Sequence, residues 1–585
     1  MNLRKLQFNF SLTAIWVHGR REFEFWISLF DSILKPRPRI RKQAKPKLIL
    51  QGKRALMNGY TIVCLTERKE NTMQRKESAI KGHKWFVISS LVLILAFVIM
   101  AVGSPVLAQQ GVIGTAEKGV NKPIKTPPLK VADHATMKGK SYQMAVLGIG
   151  GWPPSKLSVD LAQKYYTKYA KDTYGYDVRF TFQESPFSAL FQKAAASLAT
   201  KANEYNLIIS DSQWLGALAE PGWIVCADDI IKLEPSLDIE WASPVLQTSY
   251  QVYPDGTDQR WGFPQEADVV VLFVRKDMMS NPTERANFKA KYGRDLPQTY
   301  EDWVKEDFDS FQQIAGFFTR PDKQMYGTVM QYSKEYDFMS MFLYPFWFSF
   351  GNDIWNPNTR NVYGILNKPQ SAKANEYNKL YLKYQPQGAI NYGISENADA
   401  FTQGKAMTAF QWAAMGPTMI PDNLKDKVMV VPPPGFKKPD GSIYRLYCVG
   451  GQPWVVSAFN TPEQQRIAID YLKWWYLPDT QLLYAKNGGN PSDKATLSRE
   501  NIDSIQPWFR AMKDMFSQSR DFWHDPTYSA LLATQQEGWT AFASGAATDA
   551  VKVNEWIACQ QQKILYDAGR TITAPPSSCT SAAYK

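Results

Sequence analysis

Strands and helices alternate in the first part of the globular region, and this alternation restricts the fold more than any other feature. The runs 142–148, 178–182 and 207–209 have the lengths and apolar or alternating patterns of buried strands. Between them, residues 158–171 and 188–202 show the spacing of apolar side chains that is typical of helices packed on a core. The order strand, helix, strand, helix, strand predicts a parallel sheet with helices on its faces.

A second region of the same kind follows the β-branched run Val269–Val274, which predicts another strand. A helix is predicted to begin near Tyr300, and the alternation resumes after it. With 585 residues, the chain can bury two cores. We therefore predict an α/β fold of two lobes, each a mainly parallel sheet flanked by helices. Further helices are predicted at 461–477, 503–515 and 528–543.

The positive charge of the chain is confined to its N-terminal part. The formal net charge is +12, but residues 1–108 hold 19 Lys and Arg against 6 Asp and Glu, whereas the remainder holds 48 against 49. A globular region without an excess of positive charge lacks the electrostatic footprint of a nucleic-acid-binding protein. The sequence therefore predicts no nucleic-acid partner.

The apolar run Trp85–Val102 has the features of an export signal. Lys81 and Lys84 precede it, and Val106-Leu107-Ala108 provides the small residues that precede a cleavage site. This order predicts a signal peptide at 73–108 and a periplasmic protein. The alternative is an uncleaved membrane anchor, because ~20 apolar residues span a bilayer.

Residues 1–72 are basic and show no long periodic pattern. Because a signal peptide acts at an N-terminus, we expect translation to begin at Met73, with an over-extended reading frame or a disordered segment before it. The alternative is a basic cytoplasmic tail on an anchored protein. The expected layout after the signal is a flexible lead-in at 109–138, a first lobe with its crossover strand at 139–279, a second lobe at 280–455, C-terminal helices across both lobes at 456–570 and a tail at 571–585.

Four cysteines follow the signal segment, and an even number in an oxidising compartment permits disulfides. Cys559 and Cys579 are close in sequence and could join the tail to the last helix. Cys226 and Cys448 would have to meet across the fold, so they can equally be free buried thiols. The pairing does not follow from the sequence alone.

Catalytic motifs are lacking in the sequence. It contains no Walker-type phosphate loop, no His-Glu-x-x-His and no paired Cys-x-x-Cys. Only two histidines follow the signal segment, and we expect His134 to be solvated and His524 to be structural. A serine or cysteine nucleophile needs a base within reach, and candidate bases are nearly lacking, so the sequence predicts no enzyme.

Four stretches, in order, are similar to those of the extracellular solute-binding proteins of ABC importers, especially the branch that binds oligosaccharides and related sugars. They are Ser210–Leu215 with Ala219–Trp223, Gly262–Met278, Phe401–Trp412, and Val449–Ser457 with Gly488–Pro491. The resemblance covers nearly all of residues 140–570. It implies a two-lobed periplasmic-binding-protein fold of type II whose lobes are joined by a hinge, a small-molecule solute held between the lobes, ABC permease subunits as partners, and a monomer.

Open α/β sheets bind ligands beyond the carboxyl ends of their strands, and the resemblance points to the same loops. The candidate ligand-binding residues are Trp152, Asp211, Trp214, Gln265, Glu266, Asp268, Trp347, Gln411, Trp412, Gly451, Gln452, Gly488 and Gly489. Some have other interpretations: Asp211 could cap a helix, Asp268 could pair with an arginine, and Trp347 lies in an aromatic run typical of core packing. Gly488 and Gly489 could form a plain turn.

The residue types at these positions suit a sugar or polyol. Aromatic rings cover the apolar faces of a sugar, and carboxylates and amides accept hydrogen bonds from its hydroxyls. We expect capture by closure of the lobes on the solute. Because binding alone needs no catalyst, we also expect no cofactor and no metal. The alternatives are a polyamine, an amino-acid derivative, a phosphate ester or a chelated metal on the same fold, or an exported glycoside hydrolase. A polyamine site would need more clustered acids, and a hydrolase needs two carboxylates facing one bond.

Overall fold

The structure is a computed structural model, and it describes residues 121–584. The predicted signal peptide and the basic segment before it lie outside the described residues. The strands are β1 Ser141–Ile149, β2 Asp177–Ser185, β3 Leu207–Ile209, β4 Phe263–Pro264, β5 Asp268–Arg275, β6 Thr408–Trp412, β7 Val428–Val431, β8 Phe436–Lys437, β9 Ile443–Tyr444, β10 Tyr447–Gly450, β11 Pro453–Val456 and β12 Ser519–Arg520.

Helices cover the sheets, and the longest lie near the C-terminus. They are α1 His134–Met137, α2 Pro153–Leu161, α3 Thr167–Tyr174, α4 Phe187–Ala199, α5 Leu215–Ala219, α6 Ala227–Leu233, α7 Pro244–Tyr250, α8 Lys276–Met279, α9 Pro282–Tyr292, α10 Tyr300–Trp303, α11 Phe308–Phe318, α12 Phe338–Ser349, α13 Ala372–Tyr381, α14 Ile394–Thr402, α15 Gly416–Met419, α16 Pro462–Trp475, α17 Pro478–Lys486, α18 Lys494–Leu497, α19 Phe509–Phe516, α20 Tyr528–Ser544 and α21 Ala550–Asp567. One π-helical segment, Ala162–Tyr166, joins α2 to α3.

Two five-stranded sheets form the centres of two lobes, as predicted. The first has the order β2-β1-β3-β11-β4, with β1 parallel to β2 and β3. The second has the order β12-β10-β5-β6, and β7 also pairs with β5. Its strands β6, β7 and β10 all run antiparallel to β5, which differs from the mainly parallel sheet that we expected. The reason is that β5 enters this sheet from the other lobe, which apolar patterns do not reveal.

The chain passes between the sheets twice, side by side. Residues 265–267 connect β4 to β5, and residues 451–452 connect β10 back to β11. The two crossings are joined where the Gln265 amide donates a 2.8 Å hydrogen bond to the Gln452 carbonyl. This pair of crossings is the hinge. The lobe boundaries therefore differ from the expected ones at 279 and 455, because β5 belongs to the second lobe and β11 to the first.

The turn after β1 starts its helix earlier than the sequence suggested. The helical pattern predicted a helix from residue 158, but α2 begins at Pro153, with Trp152 at the N-cap. Proline suits the first helical position, since its missing N–H would have no intrahelical partner there. The Ser158 hydroxyl donates to the Ser155 carbonyl within the helix.

Part of the expected flexible lead-in is packed on the first lobe. The Lys130 amide donates to Gln465 Oε1, and the Ala132 amide donates to the Pro462 carbonyl. His134, which we expected to be solvated, lies 2.8 Å from the buried Asp470 carboxylate. These partners lie more than 300 residues away in sequence, so the composition of 121–138 could not indicate them.

The C-terminal helices α20 and α21 pack on each other and on α13 of the second lobe. Cys559 in α21 forms a disulfide with Cys579, which holds the tail against this helix. Cys226 and Cys448 are buried free thiols. No helix between residues 121 and 584 combines the length and the apolar character needed to cross a membrane.

Candidate functional site

A cavity of about 240 Å³ opens between the two lobes. The first lobe contributes the residues after β1 and β2, and the second contributes the loop before α12 and the start of α14. The lining residues are Ile149 to Trp152 and Pro186 to Ser188 on one side, and Ser333, Glu335, Phe338, Asn391 and Gly393 to Glu396 on the other. The cavity therefore lies at the carboxyl ends of the first-lobe strands, where open α/β sheets bind ligands.

Trp152 links this cavity to the hinge. Its backbone follows Gly151, whose φ of +75° makes the sharp turn out of β1. The ring is 5 % exposed and lines the cavity, and its Nε1 donates a 2.5 Å hydrogen bond to Glu266 Oε1. The indole is thus held in one orientation by a carboxylate of the crossing segment.

Glu266 and Asp268 form a pair of fully buried carboxyl groups at the hinge. Asp268 Oδ1 accepts from the backbone amides of Val269 and Ala414, whereas Asp268 Oδ2 and Glu266 Oε2 have no hydrogen-bond partner. Burial raises the pKa of both groups well above the usual range, and the neighbouring Asp268 charge raises that of Glu266 further. Among residues 121–584, no arginine pairs with Asp268, so the structure does not support the interpretation of Asp268 as an arginine partner.

The glutamines of the hinge lie beside these acids. Gln265 Nε2 donates to the Tyr484 hydroxyl at 3.2 Å, but Gln265 Oε1 has no partner. Gln452 Oε1, on the returning crossing, is likewise buried without a partner. Gly451 has a φ of +95°, and a Cβ there would lie 2.9 Å from the Glu266 carbonyl, so only glycine allows the two crossings to approach.

Asp211 contacts the second lobe directly. It follows β3 as predicted, and its Oδ2 accepts a hydrogen bond from the Tyr336 hydroxyl, whose oxygen also lies 3.1 Å from Gln213 Oε1. Its side chain does not cap the following turn. Burial raises the pKa of Asp211 to about 7, against the lowering effect of the Tyr336 hydrogen bond.

Sequence reasoning missed Tyr336 and Asp337, which precede α12. Tyr336 has a φ of +45°, and its ring lies 4.4 Å from that of Phe187, centroid to centroid. Asp337 is buried, and its pKa is raised well above the usual range by burial and then by the nearby charge of Asp211. Neither residue follows a predicted strand or lies in a stretch that carries the resemblance, so the sequence held no signal for them.

Trp214 packs at the same contact between lobes. It is fully buried among Phe187, Phe191 and Tyr336, with ring centroids 5.4–6.1 Å apart. Its role here is to support the ring of Tyr336 beside Asp211.

The second-lobe candidates occupy two different places. Gln411 and Trp412 are the last residues of β6, beside β5. The Gln411 side chain is hydrogen-bonded to those of Gln331 and Asn397. The Trp412 ring lies against Gly450, the last residue of β10. Trp347 lies away from them in the core, fully buried in α12. It packs on Trp539 at 5.2 Å and donates to the Asp353 carbonyl, as the core-packing interpretation expects.

Gly488 and Gly489 allow close packing after α17. Gly488 has a φ of +94°, and a Cβ there would lie 2.9 Å from Pro417 of the second lobe. A Cβ on Gly489 would meet the Tyr484 ring at 2.1 Å. The next residue, Asn490, accepts from the Ala267 amide, but its buried side-chain Nδ2 has no partner. The glycines thus bring Asn490 to the hinge.

Within residues 121–584, no group of three or more His, Cys, Asp and Glu side chains is arranged to hold a metal ion. His524 is bound on both sides by carboxylates, Asp255 of the first lobe at 2.8 Å and Asp521 of the second at 3.2 Å. Burial alone would lower its pKa, but the two carboxylates raise it to about 10. His524 is therefore a structural cation between the lobes.

Three comparisons relate this arrangement to known proteins. The family model of the bacterial extracellular solute-binding proteins matches residues 157–482. No curated protein sequence matches the chain. Many solved structures do match in fold.

One such structure is an ABC transporter solute-binding protein from Agrobacterium radiobacter in complex with ribitol, at 21 % identity and a TM-score of 0.57, over 73 % of this chain and 99 % of that one. Maltose-bound MalE3 of T. maritima shares 18 % identity with a TM-score of 0.58, over 72 % and 100 %. A solute-binding protein of Agrobacterium vitis with bound D-mannitol shares 16 % identity with a TM-score of 0.55, over 73 % and 99 %.

At these identities the structural matches show the fold, that of two-lobed binding proteins with a hinge. The family match spans more than half of the chain and includes the first-lobe loops, the first crossing and the second lobe. The chain belongs to the bacterial extracellular solute-binding proteins.

Proposed function

We propose that this protein captures a small hydroxylated solute, a sugar or a polyol, between its lobes and delivers it to the membrane permease of an ABC importer. The observation that carries the proposal is a group of four buried acceptor oxygens without partners: Gln265 Oε1, Glu266 Oε2, Asp268 Oδ2 and Gln452 Oε1. Buried polar atoms are usually hydrogen-bonded, so these four acceptors, with the donor Asn490 Nδ2 beside them, offer partners to the donors and acceptors of a polar solute.

A hydroxylated solute supplies such donors. Each hydroxyl donates one hydrogen bond, and a carboxylate oxygen accepts more strongly than a neutral one. Trp152, which lines the cavity and is bonded to Glu266, offers a rigid ring for the apolar face of a sugar. Related structures of the same fold hold ribitol, maltose and D-mannitol, which agrees with this chemistry.

Capture works by closure about the hinge. The solute contacts the hinge and both lobes, so it stabilises the closed arrangement that includes the contact between Tyr336 and Asp211. Binding requires no bond to be made or broken, and we propose that the protein acts without catalysis. The extracellular family supports an exported protein that meets its permease at the membrane.

The test is a calorimetric titration of the purified protein with ribitol, D-mannitol, D-tagatose and maltose. We expect at least one to bind with an affinity that Glu266→Gln weakens, because the variant replaces a carboxylate acceptor with a neutral one. Gln163→Glu, on the outer face of the first lobe, serves as a control and leaves the affinity unchanged. Binding that survives Glu266→Gln and Asp268→Asn together would contradict the proposed site.

A further inference from the structure

Four carboxyl groups between the lobes are buried without a cation. Glu266 and Asp268 are fully buried at the hinge, and Asp211 and Asp337 are each 5 % exposed where the lobes meet. Across the described range 121–584, no ion pair involves any of them: the partners of the first three are Trp152, backbone amides, Tyr336 and Ser212.

Elsewhere the same protein pairs three of its buried acids with cations. Asp525 binds Arg570 at 2.9 Å, and Asp470 binds His134 at 2.8 Å. Asp521, whose charge reaches Asp211 and Asp337, is bound by His524. The four interlobe carboxyl groups lack the cation that these three acids have, as does the buried Asp493, but among the unpaired buried acids of residues 121–584 only the interlobe groups lie together beside a cavity.

The cavity next to them is also acidic. Glu335 and Glu396 line it from the second lobe, and its lining within the described residues includes no lysine or arginine. Burying an unpaired carboxylate costs several kcal/mol, so a protein retains such a cluster where a function requires it. The orphaned oxygens of Glu266 and Asp268 show that partners are missing at this cluster.

We propose that the captured solute carries a positively charged amine as well as hydroxyls, so that the ligand class is an aminated sugar or aminated polyol. This inference rests on the proposed function and narrows it. Glu266 and Asp268 at the hinge, or Asp211 and Asp337 opposite, receive the ammonium group, while hydroxyls satisfy Gln265 and Gln452. Burial raises the pKa of these carboxyl groups and so holds them toward their neutral form, and an ammonium group beside them would favour the charged form, which a neutral sugar cannot do.

The first test compares matched pairs of solutes at pH 8 by calorimetric titration: 1-amino-1-deoxy-D-sorbitol against D-sorbitol, and D-glucosamine against D-glucose. We expect the aminated member of a pair to bind at least about tenfold more tightly, because an ammonium group forms charged hydrogen bonds with a carboxylate that a hydroxyl cannot form. Glu266→Gln or Asp337→Asn should reduce this preference.

The outcomes separate the two proposals. If a neutral member binds as tightly as its aminated partner, the amine inference is overturned and sugar capture stands. If putrescine, an amine without hydroxyls, binds as tightly as the aminated polyol, the inference of a positively charged solute is supported and the proposal of a sugar or polyol is contradicted.

A second measurement uses the protein without any added solute. Asp337→Asn should raise the thermal midpoint, because it removes repulsion with Asp211, whereas Asp525→Asn should lower it by breaking the pair with Arg570. A lower midpoint for Asp337→Asn would show that Asp337 is a stabilising charge with a partner, and would overturn the inference even where no probe binds.

Discussion

The Tyr336 hydroxyl of the second lobe donates a hydrogen bond to the Asp211 carboxylate of the first. This contact lies next to the interlobe cavity, since Phe187, which lines the cavity, packs on the Tyr336 ring. A contact that exists only when the lobes meet stabilises the closed arrangement specifically. It therefore contributes to solute affinity without touching the solute.

Tyr336→Phe should weaken solute binding by removing this hydrogen bond. The loss of a hydrogen bond to a buried carboxyl group costs about 1–3 kcal/mol, which corresponds to a roughly fivefold or larger increase in Kd. Calorimetric titration measures the change. Tyr165→Phe, at an exposed tyrosine of the first lobe, is the control and should bind as the unmodified protein does.

Trp152 and Trp347 should respond to substitution in different ways. Trp152→Phe removes the N–H that orients Glu266 beside the cavity, so we expect affinity to fall about tenfold, whatever the change in thermal midpoint. Trp347→Phe leaves a gap against Trp539 in the core, so the midpoint should fall while the affinity stays the same. Equal effects of both variants on affinity would mean that Trp152 has no place in the site.

Gly451→Ala should destabilise the hinge more than a matched glycine substitution does. Gly451 and Gly441 both have positive φ, +95° and +86°, but a Cβ meets other atoms only at Gly451. Both substitutions therefore place an alanine at a positive φ, but only Gly451→Ala also crowds the Tyr250 hydroxyl and the Glu266 carbonyl. We expect Gly451→Ala to lose at least about 1 kcal/mol more stability than Gly441→Ala in urea unfolding. Equal losses would contradict the close crossing of the hinge segments.

His524 should make stability depend on pH in the alkaline range. Its pKa in the folded protein is raised from 6.5 to about 10, so its stabilising charge is fully present below pH 6.5 and lost as pH rises through 10. The thermal midpoint of the unmodified protein should exceed that of His524→Gln near neutral pH, and the difference should shrink toward pH 10. A difference that grows with pH would contradict the pairing with Asp255 and Asp521.

The first lobe could be predicted from the sequence because its signals are local. The run at 207–209 gave β3 with its observed bounds, and the predicted helix at 528–543 differs from α20 by one residue. The direction of β5 could not be predicted in the same way, since strand pairing between distant segments leaves no local pattern. The boundaries of the two lobes were misjudged for this reason.

The candidate site likewise contains residues that the sequence indicated and residues that only the three-dimensional structure reveals. Asp211 follows a predicted strand, and the rule that ligands bind beyond the carboxyl ends of strands indicated it. The resemblance to the family indicated Glu266 and Asp268. Tyr336 and Asp337 precede a helix in the other lobe and reach the site only through the three-dimensional contact with Asp211. The glycine at 451 could be recognised as part of a turn, but its approach to Glu266 depends on the second crossing.

The most direct test of the account is a crystal structure of the protein saturated with a solute that the titrations identify. We predict density between the lobes, in hydrogen-bond contact with Glu266 or Asp268 and against the Trp152 ring, with Tyr336 still bonded to Asp211. Density for the solute on an outer face of either lobe, with Glu266 and Asp268 unchanged and without partners, would contradict the account.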